Sequence, residues 1–188
     1  MDRGVFISFI HEEERVATLV QEFIETKLNW EVTAFRSSDQ WQIYAGEDWF
    51  ARIREALKSA NVVLLMLSKK SVERPWVNFE AGGAWLNERI IIPICYGGLT
   101  RDTLPKPYSE LQSLDLKGDA EYLISSIRHH LKIPYPPPVD PLKKEEKSTA
   151  PPPRQGRSVE DILKELHSAI DEVEQRYAGK SSAPPPGS

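Results

Sequence analysis

Val62-Val63-Leu64-Leu65-Met66-Leu67 is the most apolar run in the chain, and its reading decides the fold. It is short, unbroken by any polar residue and bounded by polar ones, as expected of a strand buried on both faces. Such a strand belongs at the centre of a parallel sheet. Working outward, a similar run lies upstream at Val5-Phe6-Ile7-Ser8-Phe9-Ile10 and another downstream at Ile90-Ile91-Ile92-Pro93-Ile94-Cys95. Trp30 to Phe35 is weaker and mixed in polarity, which suits a sheet edge, and Leu111-Gln112-Ser113-Leu114 reads as a short fifth strand. Pro93 lacks a backbone donor, so its strand should carry a bulge or a partly open edge.

Helical periodicity fills the gaps between these runs. His11 to Glu14 open the first helix with acidic residues where the helix dipole favours them, and Val16, Leu19, Val20, Phe23, Ile24 and Leu28 form its apolar stripe. Trp49, Ile53 and Leu57, with Phe50, define a second helix. Pro75 suits the first turn of a third, and Asp119 caps a last one bearing Tyr122, Leu123, Ile127 and Leu131. Five strands alternating with these helices predict a parallel sheet with helices on both faces. In such sheets ligands bind beyond the carboxyl ends of the strands, where strand order reverses. The loops at those ends begin at Ile10-His11, Arg36–Asp39, Ser68-Lys69 and Gly97-Gly98. The second of them runs from Arg36 to Asp48, a length that marks functional loops.

Composition narrows the class. The 188 residues carry a formal charge of -4 and no Lys/Arg cluster, so nucleic acid is not an expected partner. One cysteine, Cys95, sits inside an apolar run, a usage that fits a reducing compartment. The start, Met1-Asp2-Arg3-Gly4, has no apolar signal segment, and no run approaches the ~20 residues of a membrane helix. A cytoplasmic protein without membrane contact is the expectation.

After Ile133 the composition changes. Residues 1–133 read as one domain and 134–157 as a proline-rich linker, stiff and solvated. Residues 158–178 read as an amphipathic helix and 179–188 as a disordered tail. Ser158-Val159-Glu160-Asp161 has the pattern of a capping box, and Val159, Leu163, Leu166, Ile170, Val173 and Tyr177 step by four and three like a coiled-coil seam. Three heptads need a partner surface. The spacer points to self-association or a partner helix; the alternative is a fold back onto the chain's own domain.

Chemistry concentrates in Trp76-Val77-Asn78-Phe79-Glu80-Ala81-Gly82-Gly83-Ala84-Trp85. Four apart on a helix, Trp76 and Glu80 share a face. The two glycines cost about 1 kcal/mol each in helix propensity, which implies close backbone approach to a sheet or a ligand. The plain alternative is a core helix with a glutamate near its positive end. Elsewhere little competes. His11, His129, His130 and His167 are dispersed and give no metal site, and the first strand is followed by neither a Walker loop nor a dinucleotide fingerprint. The same element order occurs in receiver domains, but Ser68-Lys69 stands where their phosphoacceptor aspartate would be.

Val5 to Phe9, Ala45-Gly46-Glu47-Asp48-Trp49 and above all Trp76-Val77-Asn78-Phe79-Glu80 together resemble a TIR domain of the bacterial type, over roughly residues 4 to 133. The resemblance implies a flavodoxin-like α/β sandwich with a five-stranded parallel sheet in the order 2-1-3-4-5, to which the C-terminal amphipathic helix is added. It also implies cleavage of NAD+ between nicotinamide and ribose, to ADP-ribose or a cyclic variant, in immune and anti-phage signalling. Glu80 takes the place of the catalytic glutamate and Trp76 that of the family's tryptophan. Phe9, Ile10 and His11 would line the pocket from the first loop, and Ser38 and Trp41 from the second. Phe9 could equally be core, and Trp41 a protein contact. NAD+ is then substrate, with no cofactor or metal. Other TIR domains are the implied partners, in a homo-oligomer, with a sensor or effector protein as a further candidate. A non-catalytic module that signals only by assembling with other TIR domains is the alternative.

Overall fold

Five parallel strands form one sheet in the order β2-β1-β3-β4-β5. The structure, a computed structural model, describes residues 3–37, 49–135 and 157–178. In chain order the elements are β1 (Gly4–Ser8), α1 (Glu14–Lys27), β2 (Thr33–Arg36), α2 (Trp49–Ser59), β3 (Val62–Leu67), α3 (Pro75–Leu86), β4 (Ile90–Cys95), β5 (Leu114–Asp115), α4 (Ala120–Leu131) and α5 (Val159–Ala178). The flavodoxin-like sandwich expected from the sequence is the observed fold. All six residues of β3 are buried, and it pairs with β1 from Val62 opposite Val5 to Leu65 opposite Ser8.

The period-2 alternation of the strands divides the core between two faces. Ile7, Leu64, Met66 and Ile94 meet Val20, Phe23 and Ile24 of α1 and Leu123 and Ile127 of α4. Phe6, Val63, Leu65 and Leu67 meet Ile53 and Leu57 of α2 and Val77 and Ala84 of α3 on the other. Each of these side chains larger than alanine contributes roughly 1.5–3 kcal/mol by leaving water. Helix α1 begins later than its acidic opening suggested, because His11–Glu13 form a separate 3-10 turn.

Pro93 sits where its missing donor does least harm. Ile90 and Tyr96 donate to Asn61 and Leu67 on the β3 side, so the odd residues of β4 face away from β3. There β5 reaches only Ile94 and Cys95, which leaves Pro93 on an open stretch of edge.

The C-terminal helix departs from expectation. The seam that was expected to seek a second chain is covered by this one: Ile162, Leu166, Ala169, Ile170 and Val173 are buried in the α1–α4 core. The buried set is shifted from the expected seam: Ile162 and Ala169 join it, while Val159, Leu163 and Tyr177 are only partly buried at its margin. Its start is capped as the sequence suggested, with the Asp161 amide donating to Ser158 Oγ at 3.1 Å. Helix α5 lies antiparallel to α1, tied by Arg157 to Glu22 near its start and by Arg15 to Glu172 near its end. Residues 136–156 and 179–188 lie outside the described residues.

Candidate active site

At the carboxyl edge of the sheet two buried glutamates are held in a crossed arrangement. Glu80, on the helix that follows β3, accepts from Ser8, the last residue of β1, at 2.5 Å. Glu13, in the turn that follows β1, accepts from Ser68, the first residue after β3, at 2.6 Å. Each serine thus ends one strand and holds the glutamate that follows its neighbour. Because β1 and β3 are adjacent and parallel, their carboxyl ends lie side by side, which makes the exchange geometrically short.

Glu80 is 0% exposed. Pro75 starts α3, so Trp76 and Glu80 lie on its first two turns, and Trp76 Nε1 donates to Glu80 Oε1 at 2.8 Å. Ser37, just after β2, adds a third donor, its hydroxyl. Burial dominates these donors: it pushes the carboxyl from 4.5 to about 8, while Ser8, Trp76 and Ser37 pull the other way. Near neutral pH the closed site therefore holds mostly the acid form. A carboxyl so perturbed by burial, among donors at the edge where open parallel sheets bind ligands, is a candidate functional group.

The Trp76 ring is half-buried and continues into an aromatic surface. Phe79 stacks on it at 5.4 Å between centroids, and Phe50 of α2 meets it edge-on at 5.8 Å. Phe50 and Phe79 are about half exposed, 45% and 48%. Neither of the glycines after Glu80 makes the close approach to the sheet that was expected: a methyl on Gly83 would make ordinary contact with Leu57 of α2, at 3.5 Å, and Gly82 faces open space. That space is a cavity of about 180 Å³ walled by Asn78, Ala81, Trp85 and Tyr108. A second, between α3 and α4, is walled by Trp85, Ile91 and Tyr122. Neither of these two has Glu80 in its wall.

The remaining candidates divide. Phe9 is buried in the core on the α1 face, so its side chain points away from Glu80, although its amide reaches Ser37 Oγ at 3.5 Å. Ile10 is buried on the α3 face, with Val77 and Ala81. His11 is exposed and stands 3.6 Å from Glu14. Ser38 and Trp41 lie outside the described residues. Sequence reading overlooked Ser8 and Ser37. Ser8 looked like a lone interruption in an apolar strand, and that interruption was the available signal. Glu13 was read only as one of the acidic residues that open the first helix, yet it is 1% exposed. It accepts from Ser68, Tyr96 and Tyr177, with burial holding its carboxyl above the usual range. No group of three or more metal-ligating side chains gathers among the described residues. No described helix is long and apolar enough to cross a membrane.

The family model for the TIR domain matches residues 5–130. Among solved structures, the chain is similar to the TIR domains in the structure of the activated Roq1 resistosome directly recognizing the pathogen effector XopQ. The identity is 15% and the TM-score 0.43, over 90% of this chain and 99% of that one. None of the curated proteins compared with the chain matches it.

Proposed function

The chain belongs to the TIR domain family, and on that footing we propose that it cleaves NAD+ between nicotinamide and ribose, with Glu80 as the catalytic carboxylate. The products are nicotinamide and ADP-ribose or a cyclic ADP-ribose variant. The observation that carries the reading is a buried glutamate held by Ser8 and Trp76 at the carboxyl edge of the sheet, beside an aromatic surface.

The chemistry asks for one carboxylate. Ordinary glycosidases use two, because their leaving oxygen must be protonated. In NAD+ the bond from ribose C1′ to the pyridinium nitrogen breaks with its electron pair going to nitrogen, which neutralises the ring. No general acid is needed. The positive charge that develops on the ribosyl carbon is what Glu80 would stabilise, and water or an adenine nitrogen then bonds to that carbon. Trp76 would wall the nicotinamide side, with Phe79 and Phe50 extending the stacking surface.

Because Glu80 is fully buried, turnover requires a second state in which it is uncovered. Returning the carboxyl to water brings its pKa down from about 8 toward 4.5, so opening the site and ionising its acid favour one another. Assembly with other copies in the cytoplasm, in immune or anti-phage signalling, is the trigger in this reading, and a sensor or effector protein could drive it.

A second reading has its own support. The same burial of Glu80, together with exposed Phe50, Phe79 and Trp85 on α2 and α3, fits a module that only assembles. Glu80→Gln separates the two. In the catalytic reading it lowers nicotinamide release from NAD+ by roughly 100-fold or more while the protein stays folded. Equal release by the wild type and the variant, across a range of protein concentrations, rules that reading out in favour of the assembly module.

A further inference from the structure

The TIR family match ends at residue 130, yet helix α5, beyond it, is fastened to the corner that holds Glu80. Its last turn reaches that corner by two routes. Arg176 donates to the backbone oxygen of Glu12 at 3.0 Å, and the Glu12 carboxylate holds Lys70 at 2.9 Å and Arg74 at 2.5 Å. Tyr177 donates to Glu13 at 2.8 Å, and Glu13 also holds Ser68. Both routes converge on residues 68–74, which form the entry to α3.

That entry is itself closely wired. Ser68 Oγ accepts from the amides of Lys70 and Ser71, at 3.2 and 3.1 Å, and the Ser68 amide donates to Ser71 Oγ at 2.7 Å. Arg74 is the residue before α3, two before Trp76. Glu13 thus stands between the C-terminal helix and the turn that aims Trp76 and Glu80. On its own side it fixes the turn that follows β1, immediately after the Ser8-Phe9-Ile10 exit.

The attachment can come and go without undoing the helix. Fully buried residues of α5 end at Val173, and residues 174–178 are half-buried or exposed, held by polar contacts and by the Tyr177 ring at the margin of the core. Helix ends open far more readily than core-anchored turns.

We infer that Tyr177 is a positioning residue for the Glu80 site: bound to Glu13, it keeps the β1 exit and the α3 entry together over the carboxyl, and release of the last turn of α5 loosens them. The effect on turnover rests on the reading of Glu80 as the reacting carboxylate; the effect on local opening does not. The tie is within the chain, so the site answers to whatever pulls on the C-terminal end.

The test uses the full chain with Tyr177→Phe, which removes one hydroxyl and keeps the ring. Loss of a hydrogen bond to a carboxyl group shifts local opening by about 10-fold. Hydrogen exchange should therefore quicken about 10-fold in peptides covering residues 9–14 and 68–74, with no change in β3 or in residues 162–173 of α5. If the Glu80 reading holds, the apparent KM for NAD+ falls by about the same factor while kcat stays put, because a larger fraction of molecules is competent to bind. A merely structural role would instead lower kcat or quicken exchange everywhere. Unchanged exchange at 68–74, both in Tyr177→Phe and in the double variant with Arg176→Ala, overturns the proposal, as does acceleration throughout the domain. Local acceleration without NAD+ cleavage by either protein sustains the positioning role and sinks the catalytic one.

Discussion

Replacing Glu80 by glutamine should make the protein more stable at alkaline pH than the wild type, and by an amount the structure sets. Glutamine has the same shape, its Oε1 can accept from Trp76 Nε1, and its amide can donate to Ser8 Oγ, whose hydroxyl turns to suit. At low pH the two proteins are therefore near equals. In the wild type, folded and unfolded chains both carry the Glu80 proton below pH 4.5. As pH rises the unfolded chain releases it, while the folded chain keeps it until about 8. The folded side chain is the weaker acid, so stability is lost across that window and stays lost above it. The gap between about 8 and 4.5 is worth about 5 kcal/mol once complete, and about 2 kcal/mol by pH 6. Urea unfolding of both proteins at half-unit steps from pH 5 to 9, fitted with a common slope, reads the difference directly. Parallel curves over that range would refute the claim that burial, rather than its three hydrogen-bond donors, controls this carboxyl.

Two further expectations concern α5 and the turn beneath it, and a third returns to Glu80. Leu166→Ala, at a fully buried position of α5, should cost 2–5 kcal/mol of unfolding free energy by roughly the scale of core truncations; a cost near zero would mean that α5 stands off the domain. Gly97→Ala should destabilise by about 1–3 kcal/mol, since its backbone has φ +60° and the new methyl would meet Val173 Cγ1 at 2.8 Å. Adding Val173→Ala should recover part of that loss, and strict additivity in the double-mutant cycle would deny the contact. Finally, nicotinamide release per enzyme should rise with pH through the neutral range, because Glu80 must lose a proton held near 8 in the closed form; a flat profile from pH 5.5 to 9 would separate ionisation of Glu80 from turnover.

The sheet was legible because strands buried on both faces leave long apolar words in the sequence, as Val62–Leu67 does. Trp76 and Glu80 were legible as a pair because a fixed helical pitch brings residues four apart together. The hydroxyl partners of Glu80 were not, since Ser8 and Ser37 arrive from β1 and β2, strands whose adjacency to it is a property of topology. Glu13 misled for a related reason. Its neighbours in sequence are acidic and solvent-facing, but its cover comes from Ser68, Tyr96 and Tyr177, each more than fifty residues away. The end of the chain misled through length. A proline-rich spacer says how far a helix can reach, and nothing in its composition says whether the helix returns. What returned it is the unfilled side of the α1–α4 core, where Ile162, Leu166 and Ile170 find apolar neighbours that no local pattern announces.

Pro93 bears on how copies of this molecule could crowd together. A visiting strand laid along the outer flank of β4 would find ring carbon where its ladder needs a hydrogen. Stacking into endless ribbons by sheet fusion is therefore discouraged on that flank. Any congregation of protomers there must be negotiated by side chains, which can select their neighbours and let them go.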